Sequence, residues 1–217
     1  MKKLLLLVVI LLPGVAKSAQ EGTTGVTGKG FKLGFTIASI NTAYDELNDF
    51  LDSRVGFTGG AFLTYNLSRQ FAVQPEILYV YKGAEKNIFF VDPYWFTDYL
   101  EFLVLLKYDL VPAGPFHPNL FVGPAISVLL KSEVGYSDRS LDVSDGTKSL
   151  DVGLVFGGGI DYKRVTLDVR YTLGLSNTID ADKVNSISGE EPGDNFYLEG
   201  DPSVKNRNLS FMIGVRL

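Results

Sequence analysis

From Ser149 to Leu175 the chain alternates apolar and polar residues through two runs that meet at Lys163 and Arg164. Val152, Leu154, Phe156, Ile160 and Tyr162 share one parity of the first run, and Val165, Leu167, Val169, Tyr171 and Leu173 share one parity of the second. The opposite parity carries Asp151, Gly153, Gly157, Gly159 and Asp161, then Thr166, Asp168, Arg170 and Thr172. A period of two with one apolar face predicts a hairpin of amphipathic strands. In a soluble sheet the apolar face is the core. In an outer-membrane barrel the faces invert, with apolar residues toward lipid and polar residues in the lumen.

The same alternation recurs along the chain. Phe31, Leu33, Phe35 and Ile37 open it, followed by Val55, Phe57, Ala61, Leu63 and Tyr65, and then by Phe71, Val73, Ile77, Tyr79 and Tyr81. Pro75 falls on this parity and predicts a local irregularity, because proline gives nothing to a ladder. Leu100, Phe102, Val104, Leu106, Tyr108 and Leu110 form the next face, and Leu120, Val122, Ile126, Val128 and Leu130 the one after. The chain closes on Leu209, Phe211, Ile213, Val215 and Leu217.

These runs make eight strands. Their connections alternate: short at Ser68 to Arg69, Pro112 to Pro118 and Lys163 to Arg164, long before Arg54, at Gly83 to Thr97, Ser132 to Lys148 and Ser176 to Asn206. Short turns on one side and long loops on the other mark an outer-membrane barrel. The pattern predicts an all-β fold, an eight-stranded antiparallel up-and-down transmembrane β-barrel with short periplasmic turns and long extracellular loops. A soluble periplasmic lipocalin-like carrier, with its apolar face inward around a ligand, is the opposite assignment of the same strands.

The N-terminus MKKLLLLVVILLPGVAKSAQEG has a basic pair, an apolar run and small residues, the layout of a secretory signal peptide over residues 1–18. Ala16 and Ser18 are both compatible cleavage points. A flexible Gly- and Thr-rich leader is expected over 19–30 and the barrel over 31–217. Beyond the signal the longest apolar run is Phe102 to Leu106, far short of a spanning helix, so a membrane location requires a closed barrel.

Charge then selects the interior. Glu76, Glu101, Lys107, Asp151, Asp168 and Arg170 fall mid-strand on the polar face, and with Gln74, Lys82 and Arg216 they form the expected polar network of the lumen. Four acids against two bases leave a surplus among the mid-strand charges, which Lys82, Arg216 or Lys32 would balance. Matching parity and depth place Glu101 and Arg170 in one shared network. Tyr79, Tyr81, Trp95, Phe96 and Tyr171 are expected as an aromatic girdle or rim.

The remaining chemistry is exclusionary. The chain's 46% hydrophobic residues and 23 glycines suit one all-β domain, and with no cysteine there is neither a disulfide framework nor a lipid-modified N-terminal cysteine. A net charge of −5 gives no basic footprint for nucleic acid. The single histidine, His117, reads as a solvated turn residue, no GxSxG elbow is present, and the GGG at Gly157 to Gly159 lies mid-strand rather than before a helix. No enzymatic activity and no cofactor are expected. Asp180, Asp182, Glu190, Glu191 and Asp194 lack the spacing of a calcium loop and read as solvated charge. Eight strands leave an interior that side chains fill, so a packed anchor is expected instead of a pore, in contact with outer-membrane lipid, monomeric, and with a protein partner at its loops or periplasmic turns.

The segments QPEILYVYKGA (Gln74 to Ala84), YLEFLVLLKY (Tyr99 to Tyr108), NLFVGPAISVLLK (Asn119 to Lys131), DVGLVFGGGIDY (Asp151 to Tyr162) and LDVRYTLGL (Leu167 to Leu175) occur in the order of the PorT-like outer-membrane β-barrel family, which the chain resembles over nearly its full length after the signal. The resemblance implies a small barrel in the outer membrane of a Gram-negative-type envelope, with Glu76, Lys82, Glu101 and Arg170 at recurrent polar positions. It also implies, as a second functional expectation, an accessory role in protein secretion.

Overall fold

The computed structural model describes residues 24–42, 52–85, 93–136, 139–179, 183 and 204–217. Residues 1–18, the expected signal, and the acidic residues Asp180, Asp182, Glu190, Glu191 and Asp194 lie outside them. The elements are β1 (Gly25–Thr42), β2 (Asp52–Asn66), β3 (Phe71–Glu85), β4 (Pro93–Asp109), β5 (Phe116–Tyr136), β6 (Arg139–Asp142), a 3-10 turn (Ser144–Gly146), β7 (Leu150–Tyr162), β8 (Val165–Gly174) and β9 (Val204–Arg216).

Every neighbouring pair is antiparallel. The sheet runs β4-β3-β2-β1-β9-β8-β7-β5, and β4 also pairs with β5, so the ring closes on eight strands with no free edge in the wall. The short β6 is a hairpin arm on the upper end of β5, paired at Glu133 to Tyr136.

Side chains follow the alternation. Phe31, Leu33, Val55, Phe57, Leu120, Leu167 and Val215 are exposed on the outer wall, Phe31 at 62%. Between them on the inner face, Lys32, Glu76, Glu101, Asp168 and Arg170 are all buried. This disposition overturns the soluble-carrier assignment: a wall that is apolar outside and charged inside dissolves in lipid, not in water.

The strands run further than the apolar pattern indicates. β1 begins at Gly25, inside the expected 19–30 leader, and Lys29, Gly30 and Phe31 pair with Leu63, Phe62 and Ala61. Its inward positions there are Gly28 and Gly30, so no side-chain contrast announces the strand. Gly30 is required by close approach, since a Cβ would lie 2.0 Å from the carbonyl oxygen of Val215. Likewise β3 and β4 pair as far as Glu85 and Tyr94, well into the expected Gly83 to Thr97 loop. The ladder of β3 with β2 is interrupted at Gln74 and Pro75 but keeps one register on both sides, Phe62 opposite Glu76 and Tyr65 opposite Val73, so the irregularity expected at Pro75 is a gap in the ladder and not a bulge; the register shift of this pair lies between Ser53 and Thr58.

Candidate functional site: the barrel lumen

Three charged groups line the interior, each assembled from strands far apart in sequence. In the first, Glu76 on β3 accepts from Arg170 Nη1 at 2.6 Å and from Lys32 Nζ at 2.8 Å. Arg170 Nη2 also donates to Asp168 Oδ2 at 2.8 Å, and Lys32 pairs with the same carboxylate. Gln74 donates to Glu76 and accepts from Thr64 Oγ1 at 3.1 Å. Two acids meet two bases, so the group is neutral as a unit. Neutrality is what permits such burial, because an unpaired ion inside a protein costs several kcal/mol.

The second group sits toward the long-loop end. Lys82 Nζ donates to Glu101 Oε2 at 3.0 Å and lies 3.9 Å from Asp151 Oδ2. Ser127 Oγ donates to Glu101 at 2.8 Å, Ser176 Oγ to Asp151 Oδ1 at 2.6 Å, and Asn206 Nδ2 to Asp151 Oδ2 at 2.9 Å. The fully buried Tyr99 ring faces Lys82 Nζ at 4.9 Å. Hydrogen bonds here offset the excess of one carboxylate that ion pairing alone leaves.

The third group closes the short-turn end. Asp161 Oδ2 receives Lys107 Nζ at 3.2 Å and Arg216 Nη2 at 3.0 Å. Nearby, His117 Nδ1 lies 3.6 Å from Asp109 Oδ2 beside the β4–β5 turn.

An apolar cluster stands between the charged groups along the strands, the first from the second on β3 and the second from the third on β4. Leu78, Val80, Leu103, Leu105, Phe121, Ala125, Val155 and Met212 form one buried cluster from β3, β4, β5, β7 and β9. On β3, Leu78 and Val80 stand between Glu76 and Lys82. On β4, Leu103 and Leu105 stand between Glu101 and Lys107. Gly157 gives Phe121 its room, since a Cβ there would lie 2.8 Å from the ring. At the upper mouth the β6–β7 connection folds inward: Val143 N donates to Ser132 O, Thr147 Oγ1 to Ser132 Oγ, and Thr147 bridges to Ile179.

Gln74, Glu76, Asp168 and Arg170 therefore converge in one group, Lys82, Glu101 and Asp151 in a second, and Lys107 and Arg216 in a third. The expected pairing of Glu101 with Arg170 does not occur. Shared parity gives a shared face but not a shared depth, and the apolar layer lies between them. Asp161 and Asn206 complete groups that sequence reasoning left open. Asp161 was marked by its polar parity, whereas Asn206 lay in a stretch with no visible period.

At the long-loop end, the rings of Tyr81 and Phe96, 5.9 Å apart, both face Arg54, whose guanidinium carbon lies 4.3 Å and 3.4 Å from the two ring centres. Tyr79 is exposed, and Tyr171 packs on Phe156 at 5.4 Å. Trp95 pairs through its backbone with Ala84 and Val134, and its side chain lies outside the described residues. A second aromatic set, missed in the sequence, borders the short turns: Phe71 against Tyr108 at 5.0 Å and Phe116 stacked on Tyr162 at 4.4 Å.

Comparison with known proteins places this geometry. A family model described as "Outer membrane protein beta-barrel domain" matches residues 19–180. The crystal structure of Neisserial surface protein A superposes with a TM-score of 0.50 at 15% identity, covering 89% of this chain and 99% of that one. The outer membrane protein OprG from Pseudomonas aeruginosa gives a TM-score of 0.45 at 15% identity, over 89% of this chain and 97% of that one. No curated protein matches the sequence. The Neisserial likeness is one of fold.

Proposed function

The chain belongs to the outer membrane protein beta-barrel domain family, and from that premise we propose that this outer-membrane protein is a membrane-anchored binding or structural protein, with a plugged barrel as its anchor and its long extracellular connections as its contact surface. The observation that carries the reading is the apolar layer of Leu78, Val80, Leu103, Leu105 and Phe121 between the charged groups of the lumen. An eight-stranded barrel has an interior that side chains fill, and here both charge pairing and apolar packing fill it.

The test is conductance in a planar bilayer. The refolded, heat-modifiable protein is expected to give no stepwise current above the lipid background. A steady unitary conductance in the wild type overturns the anchor reading and makes the lumen a pore.

A PorT-type accessory role in secretion is the second reading, favoured by the exposed basic residues of the short turns, Arg69, Lys163 and Arg164. It keeps the same anchor and moves the contacts to the periplasmic side. Deletion then lowers export of surface-destined proteins, whereas a loop-mediated role leaves export intact.

A further inference from the structure

The short-turn rim of the barrel is divided by charge. Lys29 on β1, Arg69 in the β2–β3 turn, and Lys163 and Arg164 in the β7–β8 turn are all exposed. Around the ring the strands run β3-β2-β1-β9-β8-β7, so these cations occupy one continuous arc. The end of β9 joins them: Leu217 N donates to Lys29 O, and Arg216 N donates to Arg164 O. Lys29 and Arg164 therefore stand two strand spacings apart, about 10 Å.

None of the four cations pairs with an acidic side chain of the described residues. The two acids at this end are committed elsewhere, Asp161 to Lys107 and Arg216 and Asp109 toward His117. The rest of the rim is of opposite character. In the β4–β5 turn Leu110 and Val111 are exposed at 49% and 48%, followed by Pro112, Ala113, Gly114, Pro115 and an exposed Phe116.

The depth of the arc is fixed by the aromatic residues beside it. Phe71 with Tyr108 and Phe116 with Tyr162 are outward ring pairs at the strand ends, and aromatic girdles sit at the membrane–water interface. Arg69 and Lys163 follow or precede those rings by one or two residues, and Lys163 Nζ lies 5.2 Å from the Tyr162 ring centre. Cations just beyond an aromatic girdle stand at the level of lipid headgroups.

We propose that this rim binds anionic phospholipid of the periplasmic leaflet, with Lys29, Arg69, Lys163 and Arg164 on the phosphodiester headgroups and the uncharged, apolar β4–β5 turn seated beside them in the interfacial region. Lipid is the occupant because the cations lie at headgroup depth and share the rim with an apolar turn, a combination a soluble polyanion has no use for. The binding orients the barrel and is independent of what the extracellular connections contact.

The full-length protein is refolded into phosphatidylcholine vesicles carrying spin-labelled phosphatidylglycerol or spin-labelled phosphatidylcholine, and the relative association at the protein perimeter is read by electron paramagnetic resonance. The wild type is expected to prefer phosphatidylglycerol about fivefold, the factor that ~1 kcal/mol per basic residue near a membrane surface supplies. The preference is expected to fall close to unity in K29Q/R69Q/K163Q/R164Q and in high salt, and to persist in K29R/R69K/K163R/R164K. Heat-modifiable migration shows that each variant is folded. Should the fourfold variant not fold, K163Q/R164Q alters one turn alone and is expected to halve the preference. Equal association of the two lipids with the wild type, or a preference that survives the glutamine variants, overturns the proposal. Binding of dextran sulfate by the wild type without any preference for phosphatidylglycerol also overturns it and assigns the arc to a soluble anionic partner.

Discussion

Glu76 and Arg170 meet across the lumen, Oε2 accepting from Nη1 at 2.6 Å, although their strands are separated in the wall by β2, β1 and β9. A bond between neighbouring strands adds to a ladder that already exists. This one ties β3 to β8 through the middle of the barrel and braces the wall against flattening. Lys32 and Asp168 complete the brace from β1 and β8.

Removing one member of this group leaves a buried charge with no partner. R170M is expected to destabilise the barrel by about 3–5 kcal/mol, the range for breaking a buried pair from one side. E76Q/R170M is expected to recover part of that loss, because Lys32 and Asp168 remain as a neutral pair. Urea unfolding in lipid vesicles, followed by loss of heat-modifiable migration, measures both. Additive losses in the double variant contradict the brace.

The apolar layer makes a prediction about coupling. K82M and E101Q lie in one group and are expected to be strongly non-additive, whereas E101Q and R170M lie in different groups and are expected to add within about 0.5 kcal/mol. The same unfolding assay serves. Non-additivity between E101Q and R170M places Glu101 and Arg170 in one network in spite of the intervening leucines.

Much of the fold was legible because a closed barrel forces the alternation onto every strand. Phe31 to Ile37 and Val165 to Leu173 announce themselves residue by residue. Two physical circumstances hid the rest. Where inward positions are glycine, as at Gly28 and Gly30, the contrast that marks a strand disappears, and the first residues of β1 read as a leader. Depth is hidden for another reason: period two reports the face of a residue, while strand tilt and register decide which inward residues share a level. That is why Glu101 and Arg170 were assigned together, and why Lys82 rather than Arg170 is the partner of Glu101. Asn206 escaped because polar residues mask the start of β9.

Close packing around Phe121 predicts a steric limit. A Cβ on Gly157 would meet the Phe121 ring at 2.8 Å and the Val169 carbonyl oxygen at 2.3 Å. G157V is therefore expected to lower the yield of heat-modifiable barrel sharply. F121A alone is expected to cost about 3–5 kcal/mol through the cavity it leaves. Combined with G157V it relieves the ring contact but not the backbone one, so refolding is expected to remain incomplete. Full recovery of the barrel in the double variant means that β7 and β8 separate more easily than the Val169 contact allows.

At the long-loop end, Arg54 Nη2 donates to the Tyr81 hydroxyl at 3.0 Å while its guanidinium lies over the Phe96 ring. The three residues come from β2, β3 and β4, so the cation clasps consecutive strands where the ladder of β2 with β3 has its irregularity between Ser53 and Thr58. R54A is expected to destabilise the barrel by about 1–2 kcal/mol, the sum expected for a partly desolvated cation–π contact and its hydrogen bond. R54K keeps the charge but not the planar stacking and is expected to recover less than half of that loss. Amide hydrogen exchange on the upper ends of β2 and β3 is expected to rise in R54A and to stay unchanged near Lys29. A stability loss with no local increase in exchange at that end moves the role of Arg54 from clasping the wall to contacts beyond it.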